Sequence, residues 1–579
     1  MKVDIDPEGR LAEPRQTTLV LASVLPGCRT FASGAATVAA ALGFFAPALG
    51  AGAPAPFDLL IRNGTVIDGS GALPVRTDVA VRGELIEFIG DGSKLEAGRI
   101  VDARGLIVAP GFIDPHSHAD GVLVNPAAPQ DRVSLATASQ GVTTAVFGPD
   151  GFYSLATIRQ RMQAFSSGGV GVNYAFYVGH NGIRRETLGD PHAKATHGDI
   201  ARMAAQVRDA MVLGAVGLST GLMYDPGMFA DTEEVVALAR EVAPFGGIYD
   251  SHVRDPVFHL IDSDKEALEI GRRAGIGAKI AHEKAPGLLN HGRAVDIVAL
   301  INSERSAGFN AVVDQYPYDG ASTGLLRNLF VLPDSPRGAR PDTPLEQLRK
   351  MLSDSKQRAV VRQLSENGID GGFTWLKAVG YGGLRIVSSP DDPALVGRNI
   401  ELLARERGAS GFDTLADLAM HHDSIRLTMA DIAESDIRLL MVQPWTMIGS
   451  DGNGIDAARD PRVCEHPRSL GTFPRVLGHY ARDLGVLSLP DAIRKMTSLP
   501  ADYLHLSDRG RIQQGKVADI TVFDPARVSD RATYEKPCEL SVGITHVFVN
   551  GVAVFEEGRA TGALPGRFVK RAGPHSTGD

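Results

Sequence analysis

The sequence predicts an α/β protein in which a TIM-type (β/α)8 barrel is joined to a small β-sandwich domain built from both chain ends. Through the middle of the chain, apolar strands alternate with helical stretches such as 232–243 and 263–274, the pattern of a parallel sheet wrapped by helices. Short β-rich runs with Asn-Gly and Gly turns occupy 58–108 and recur over 518–555, as expected for hairpins of one small domain. A chain of 579 residues is long enough for both parts.

These patterns divide the chain into segments that follow one another in order. We expect a leader over 1–56, the N-terminal part of the β-sandwich over 57–108, the barrel over 109–510, the C-terminal part of the sandwich over 511–570 and a tail over 571–579. Within the barrel, the stretch of about 322–381 is too long for a simple connection and contains four prolines. It predicts a lid-like insertion over the barrel mouth.

The leader resembles a secretory signal. Residues 31–53 are rich in Ala, Gly and Phe, carry no charge and end in Ala51-Gly-Ala53, which is similar to a cleavage site. This composition predicts a periplasmic or secreted protein. Because some thirty residues, several of them acidic, precede the apolar stretch, a cytoplasmic location stays as the alternative. The small residues make a poor bilayer anchor, so we expect no integral membrane span in the mature chain.

Charge and cysteine content narrow the classes of partner. The chain has 59 basic and 68 acidic residues, a formal net charge of −9, and no long basic run. This balance argues against nucleic acid or an anionic membrane as partner.

The cysteines Cys28, Cys464 and Cys538 match neither a disulfide framework nor a cysteine zinc cluster. The oligomeric state stays unknown.

The most informative stretch is Gly111-Phe-Ile-Asp-Pro-His-Ser-His118, which places His116 and His118 at the end of an apolar strand. Side chains at i and i+2 of a strand share one face about 6 to 7 Å apart, so both rings can reach one cation. A solvated His-x-His pair in a turn is the ordinary alternative.

Three further residues stand in the same setting. His252, His282 and Asp451 each close a short apolar run. Any one of them alone is more often a capping or core residue. In an α/β barrel, however, the carboxyl ends of all strands converge on one mouth, where ligands far apart in sequence can meet. Their shared placement therefore predicts a metal site.

The chain resembles the amidohydrolase superfamily and, within it, the N-acyl-D-amino-acid deacylases (D-aminoacylases). The similarity extends from about residue 58 to about residue 566. It rests on motifs that occur in this order: Gly111-Phe-Ile-Asp-Pro-His-Ser-His, Gln140-Gly-Val-Thr-Thr, Val178-Gly-His-Asn-Gly-Ile-Arg184, Gly217-Leu-Ser-Thr-Gly-Leu-Met-Tyr224, Ser251-His-Val-Arg254, Ala281-His-Glu-Lys284, Asp314-Gln-Tyr-Pro-Tyr318, Ser450-Asp-Gly and His466-Pro-Arg468. The resemblance implies an enzyme that hydrolyses a linear amide, N-acyl-D-amino acids above all, with one or two divalent ions, Zn²⁺ first among them.

One position departs from the family pattern. Members of the resembled family carry a metal-bridging cysteine in a Gly-Asn-Cys-Gly stretch, where this chain reads Gly148-Pro-Asp-Gly151. Asp150 is thereby expected as the bridging ligand. A carboxylate is harder than a thiolate and favours oxygen-loving ions. A plain Asp-Gly turn is the alternative for this residue.

The expected chemistry assigns roles to the ligands and to nearby cations. His116 and His118 would hold one metal position, with Asp451 nearby, and His252 and His282 the other. Asp451 is the expected general base, which takes a proton from water and passes it to the departing amine.

The expected substrate is a small molecule with a free carboxylate. Lys284, Tyr318 and Arg468 match the family's carboxylate clamp, in which an arginine makes the bidentate contact. A surface salt bridge is the ordinary alternative for Arg468. His180 and Arg184 also match a family motif, without an assigned role.

Three other functions are alternatives. A D-amino-acid-specific or isoaspartyl-type dipeptidase also cleaves an amide beside a carboxylate. A hydantoinase or dihydroorotase opens a cyclic amide and usually bridges its metals with a carboxylated lysine, whereas residues 214–221 at the fourth strand contain no lysine. A binding protein with an inactive site would be expected to lack a ligand, and all six are present. The sequence does not identify the acyl group or the amino-acid side chain.

Overall fold

The structure of the protein, a computed structural model, describes residues 56–571 apart from 127, 335–342 and 456–465. The chain divides into two units, Met1–Ala55 and Pro56–Asp579. The predicted leader up to residue 55 and the predicted tail from residue 572 lie outside the described residues. All described residues belong to the second unit.

Seven strands precede the barrel: β1 (Phe57–Arg62), β2 (Thr65–Val66), β3 (Val75–Arg76), β4 (Asp78–Arg82), β5 (Leu85–Gly90), β6 (Ala97–Asp102) and β7 (Ile107–Pro110). Four of them form a sheet in the order β5-β4-β1-β6. Leu59, Leu60 and Ile61 on β1 and Val79, Ala80 and Val81 on β4 are all buried, so both faces of the sheet are covered at this point.

The barrel begins with seven parallel strands: β8 (Phe112–His118), β9 (Val142–Phe147), β10 (Asn173–Gly179), β11 (Gly217–Gly221), β12 (Ile248–His252), β13 (Ala278–Ile280) and β14 (Ala311–Gln315). The helices between them are Asp120–Leu123, Leu135–Ala138, Leu155–Gly168, His180–Thr187, His197–Leu213, Thr232–Arg240, Leu260–Ala274 and Ala294–Ser306. The helices expected at 232–243 and 263–274 are confirmed, with boundaries moved by three residues. Asp231 caps the first of them by accepting from the Glu234 N–H.

An insertion with its own sheet and core follows β14. Its strands β15 (Gly320–Leu325), β16 (Leu384–Ser388) and β17 (Arg426–Ala430) are antiparallel, with β17 in the middle. Its helices are Leu345–Ser353, Ser355–Asn367, Trp375–Val379, Ile400–Arg407 and Gly411–His421. Phe330, Leu348 and Phe412 lie in its apolar core. The expected insertion of 322–381 was therefore too short, because a short apolar run such as β16 does not reveal which sheet it joins.

Two short strands close the barrel after the helix Glu434–Met441. Strand β18 (Thr446–Ile448) pairs with β14, and β19 (Gly452–Asn453) pairs with β8. The nine-stranded sheet therefore has the order β18-β14-β13-β12-β11-β10-β9-β8-β19, and its two end strands are neighbours along the chain. The predicted TIM-type barrel is confirmed.

The chain ends by returning to the N-terminal sheets. After the helices Arg468–Arg475, Val476–Asp483, Leu489–Met496 and Ser498–Tyr503 come β20 (Ile520–Phe523), β21 (Ile544–Val549), β22 (Val552–Glu556) and β23 (Arg559–Ala560). They join the early strands in the order β23-β22-β21-β20-β7-β2-β3. Val79 and Val81 pack with Ile520 and Val522 in one apolar cluster, so the two sheets form the expected β-sandwich from both chain ends.

Two smaller findings complete the fold. Cys538 is disulfide-bonded. Among the described residues, no helix has both the length and the apolar character needed to cross a membrane.

Candidate metal centre

The carboxyl ends of the barrel strands bring all six predicted ligands to one mouth. His116 and His118 end β8, His252 ends β12, and His282 follows β13 by two residues. Asp451 lies at the seam between β18 and β19, where its N–H donates to the His116 carbonyl at 2.8 Å.

Asp150 reaches the same mouth from the short 3₁₀ turn Pro149–Gly151 that follows β9.

Four of these residues form a first candidate metal position. Ligand atoms of His116, His118, Asp150 and Asp451 all lie within 4.8 Å of one another. The His118 Nε2 atom is 3.2 Å from Asp451 Oδ1 and 3.5 Å from Asp150 Oδ2, and His116 Nε2 is 3.6 Å from Asp451 Oδ1.

Asp150 also belongs to a second candidate position, with His252 and His282. Its Oδ1 atom lies 3.5 Å from His282 Nε2 and 3.8 Å from His252 Nδ1. The two imidazoles approach each other to 2.7 Å between these same nitrogens. Asp150 Oδ2 faces His118, and its Oδ1 faces the second group and also lies 3.7 Å from His116 Nε2. Because the carboxylate reaches ligands of both groups, it is placed to bridge two ions.

The chemistry of the donor set fits divalent metal. Both ring nitrogens of His116 and the Oδ1 atom of Asp150 are buried without a hydrogen-bond partner, whereas buried polar atoms normally have one. Imidazole nitrogens with carboxylate oxygens are a usual ligand set for Zn²⁺ and related ions. These residues therefore fit a metal ion at each of the two positions.

Three of the ligands have a backbone conformation that is unfavourable for most residues. The φ angles of Asp150, His282 and Asp451 are 57°, 38° and 48°. A residue with a side chain in this region costs on the order of 1–3 kcal/mol unless its surroundings hold it there, and such residues are concentrated at functional sites. Gly148 and Gly151, with φ of 78° and 79°, allow the turn that presents Asp150.

The electrostatics of the carboxylates favour cation binding. Burial opposes ionisation of Asp150, but His116 and the other imidazoles hold the pKa of its carboxyl well below the usual value. Burial likewise opposes ionisation of Asp451, and the Arg468 guanidinium lowers its pKa well below the usual value. Both side chains are therefore available as anions.

The candidate histidine ligands differ in protonation state. Burial, together with the neighbouring His282, places the pKa of His252 well below its usual value, and burial with Lys284 lowers that of His282 to about 4. Both rings are therefore neutral, as metal ligands must be. Burial disfavours protonation of His118, yet Asp150 and Asp451 raise its pKa to about 10. A metal ion that binds His118 therefore displaces a proton.

A cavity of about 200 Å³ opens onto the metal centre. Its wall combines the ligands with the cations Lys284 and Arg468 and with apolar side chains, among them Met223, Val257 and Trp375. Trp375 comes from the insertion, so this part of the insertion does reach the barrel mouth. The cavity offers a substrate a charged end and an apolar wall.

The two cations flank one aromatic ring. The Arg468 guanidinium carbon lies 4.8 Å from the centre of the Tyr316 ring, and Lys284 Nζ lies 5.3 Å from it. Arg468 Nη1 is also 2.6 Å from Asp451 Oδ2, and Lys284 Nζ is 2.9 Å from His282 Nδ1. Both cations therefore lie beside the metal ligands, where an anionic group of a substrate could bind.

Tyr318 does not have the expected position at this cavity. Its hydroxyl donates to Asp530 Oδ2 at 3.2 Å, and the Arg475 guanidinium lies 4.9 Å from its ring centre. Tyr316, two residues earlier, lies between the cations instead. Strand β14 ends at Gln315, so strand alternation no longer applies to this Tyr-Pro-Tyr segment, and the sequence contained no signal to choose between the tyrosines.

His180 and Arg184, to which no role had been assigned, form a separate buried cluster with Glu234. His180 Nε2 lies 2.8 Å from Glu234 Oε1, and Arg184 forms a salt bridge with the same carboxylate. Neither His180 nor Arg184 is among the described residues that line the cavity. Sequence reasoning also missed Tyr224, whose hydroxyl lies 3.2 Å from His252 Nδ1.

The chain is similar in sequence to known amidohydrolases. Residues 99–243 and 377–555 match the Amidohydrolase family. A D-aminoacylase of Alcaligenes xylosoxydans xylosoxydans is 36% identical over 538 residues, which cover 89% of this chain and 98% of that protein.

Two solved structures are similar over 89% of this chain and 100% of theirs. One is a D-aminoacylase studied for its binuclear metal centre, with 34% identity and a TM-score of 0.70. The other is the N-acyl-D-glutamate deacylase of Bordetella bronchiseptica in complex with zinc and a phosphonate inhibitor, with 30% identity and a TM-score of 0.70.

Proposed function

Because the chain belongs to the amidohydrolase superfamily and, within it, to the D-aminoacylase family, we propose that it hydrolyses N-acyl-D-amino acids to a carboxylate and a free D-amino acid. The observation that carries this proposal is one cavity lined by two cations and by five of the six candidate metal ligands, with His116 completing the ligand set. The metal ligands would hold the ions that act on the amide, and the cations would bind the carboxylate beside it.

The residues that would hold metal form two positions that share one carboxylate. His116, His118 and Asp451 belong to the first, His252 and His282 to the second, and Asp150 to both. We favour Zn²⁺, with other divalent ions as alternatives because the bridge is a carboxylate. Divalent ions held there supply an activated water and polarise the scissile carbonyl.

Asp451 is suited to move the proton between water and the leaving amine. Its Oδ1 atom faces the imidazoles of His116 and His118, and its Oδ2 atom is held by Arg468. The carboxylate is therefore fixed at the edge of the metal centre that faces the cavity. One acid/base group in such a position typically contributes about 10² to 10⁴ in rate.

Lys284 and Arg468 are suited to bind the free α-carboxylate. A guanidinium has five N–H donors, so its contact with Asp451 leaves others for a substrate carboxylate. The Tyr316 ring, which packs against both cations, keeps them at one side of the cavity. A carboxylate bound there places the adjacent amide beside the metal ligands.

A cyclic amide is a poorer candidate for the substrate. Strand β11, the fourth of the barrel, reads Gly217-Leu-Ser-Thr-Gly221 and has no lysine that could become a carboxylated bridge. We propose Asp150 as the bridge instead, because it belongs to both candidate groups. A dipeptide with a D-residue shares the amide and the carboxylate, and the assay below separates it from an N-acyl amino acid.

The test is a release assay on metal-loaded protein with N-acetyl-D- and N-acetyl-L-amino acids, D-residue dipeptides, isoaspartyl dipeptides and hydantoin. We expect turnover of the N-acetyl-D-amino acids above all others. Faster turnover of dipeptides would support the peptidase function. Faster turnover of hydantoin or of the L-substrates would contradict the proposal.

We also propose that the protein works in the periplasm or outside the cell. The apolar stretch 31–53 and its Ala51-Gly-Ala53 end support this location. Fractionation with N-terminal sequencing tests it: a mature start near residue 54 in the periplasm is expected, and an uncleaved chain in the cytoplasm would refute it.

A further inference from the structure

A layer of charged side chains lies inside the barrel, one step below the metal ligands. Asp250 precedes His252 by two residues on β12 and therefore shares its face one level down. Lys279 on β13 and Asp314 on β14 lie beside it, and all three are fully buried. Barrel interiors are usually filled by bulky apolar side chains. A buried lysine between two carboxylates at this level calls for an explanation.

The ammonium of Lys279 contacts three different strands. Its Nζ lies 2.6 Å from Asp314 Oδ2 and 2.9 Å from Asp250 Oδ1. It also lies 3.4 Å from the carbonyl oxygen of Pro115, the residue before His116. The contacts with Asp314 and Pro115 are hydrogen bonds, and the contact with Asp250 is an ion pair. Lys279 thereby links β13 to β8, β12 and β14.

The first carboxylate reaches two metal ligands. Asp314 accepts a hydrogen bond from the backbone N–H of His282, the ligand with φ of 38°. Its Oδ2 atom also lies 3.6 Å from His116 Nδ1. A carboxylate beside the second nitrogen of a metal-binding imidazole influences the ring orientation. Asp314 therefore hydrogen-bonds the backbone of one ligand, His282, and faces the ring of another, His116, so it contacts one ligand of each metal position.

The second carboxylate reaches the turn that presents Asp150. Asp250 Oδ2 accepts from Ser219 Oγ at 3.1 Å, and Ser219 Oγ accepts from the Gly151 N–H at 3.1 Å. Asn181 packs on the other side of this turn, since a Cβ added to Gly151 would lie 2.3 Å from Asn181 Oδ1. The turn is therefore held by the charged layer and by close packing.

Fold stability is a weak reason for keeping such a layer. Burial opposes the charge of Lys279, although Asp250 and Asp314 raise its pKa well above the usual value. Buried ion pairs can often be replaced by well-packed apolar residues without loss of stability, because the desolvation cost offsets the attraction. The contacts with the metal ligands supply a functional reason.

We propose that Lys279 is a positioning residue for the metal centre, acting through Asp250 and Asp314. One arm of this network ends at the turn of Asp150 and the other at His116, so loss of Lys279 loosens both metal positions together. The inference rests on the metal centre of the proposed function.

The test compares metal binding in variants of the full-length protein. The variants are Lys279→Met, Asp314→Asn and Ser219→Ala. The matched control is Lys495→Met, because Lys495 is also fully buried but donates to the backbone carbonyls of Gln443 and Thr446. Mn²⁺ titration followed by electron paramagnetic resonance reports affinity and the spin coupling of a metal pair. Near-ultraviolet circular dichroism reports folding.

We expect Lys279→Met to weaken Mn²⁺ binding about 10- to 100-fold and to change the coupled spectrum, as loss of a group that orients ligands does. Asp314→Asn and Ser219→Ala should shift affinity in the same direction by less. Lys495→Met should bind as the parent does.

Three outcomes decide the matter. A folded Lys279→Met variant with parental affinity and spectrum would overturn the inference. If that variant does not fold, parental binding in both Asp314→Asn and Ser219→Ala would overturn it. A parent protein that binds no Mn²⁺, Zn²⁺ or Co²⁺ would instead contradict the proposed function itself.

Discussion

Two buried clusters of histidine and carboxylate lie near the carboxyl ends of the barrel strands, and their charges are balanced differently. In the first, Arg184 contacts both oxygens of Glu234, and His180 Nε2 lies 2.8 Å from the same carboxylate. In the second, the carboxylates of Asp150 and Asp451 face four imidazoles, with Arg468 at the edge.

The difference shows what distinguishes a structural histidine from a metal ligand. Both oxygens of Glu234 contact the Arg184 guanidinium, whereas Asp451 gives only Oδ2 to Arg468 and keeps Oδ1 towards the imidazoles. At the metal centre, the Oδ1 atom of Asp150 and both nitrogens of His116 are buried without hydrogen-bond partners. Ligand atoms that converge without a protein cation between them mark a place for a metal cation, whereas histidine at a strand end does not by itself.

The largest effect is expected from removing a ligand of the second metal position. His252→Ala and His282→Ala should each lose bound metal and activity together. In either variant, only two of the three ligands of the second metal position remain. The matched control is His180→Ala, a buried histidine of the other cluster, which should keep its metal when folded. Metal analysis by mass spectrometry beside the release assay checks this. Undiminished stoichiometry in both ligand variants would show that the two clusters do not differ as described.

A smaller but still large effect is expected from Asp451→Asn. The amide preserves the shape and most metal binding but cannot accept the proton, so kcat should fall by about 10² to 10⁴. Metal content and kcat are measured on the same preparation. Turnover within a few-fold of the parent would refute the proton-transfer role.

An intermediate effect is expected from Lys284→Met. Removing one charge-assisted contact costs about 1.5 to 3 kcal/mol, so kcat/KM for an N-acetyl-D-amino acid should fall about 10- to 100-fold. The same substitution should matter little for the corresponding carboxamide, which lacks the anion. Equal losses with both substrates would show that Lys284 supports His282, its neighbour at 2.9 Å, and does not bind the carboxylate.

The smallest effect on chemistry is expected in the structural cluster. Glu234→Gln leaves Arg184 buried without its carboxylate, which should lower the free energy of unfolding by about 3 to 5 kcal/mol. Metal stoichiometry and kcat of the folded variant should stay parental. Thermal unfolding and metal analysis together check this, and a loss of metal without a loss of stability would place Glu234 in the metal centre.

Sequence reasoning found the residues that repeat a pattern. His116, His118, His252 and Asp451 close apolar runs, and parallel strands bring such ends together whatever their distance in sequence. Asp150 was found through the motif that surrounds it. In each case, a pattern visible in the sequence was enough to place the residue at the barrel mouth.

Sequence reasoning failed where tertiary contacts decide the position. Tyr316 and Tyr318 belong to one motif outside a strand, so only the packing against Lys284 and Arg468 distinguishes them. Lys279 was not identified because a buried lysine is visible only with its carboxylate partners. The insertion was placed too short because pairing of β16 and β17 with β15 is a long-range choice.

Zn²⁺ titration of Asp150→Asn beside the parent shows whether Asp150 joins the two metal positions into one centre. Asparagine can keep the turn between Gly148 and Gly151 but offers one neutral oxygen in place of two charged ones. A bridging carboxylate predicts two ions in the parent, with at least one lost or bound about 10- to 100-fold more weakly in the variant. Unchanged stoichiometry and affinity, with full amide hydrolysis, would show that Asp150 only shapes the turn.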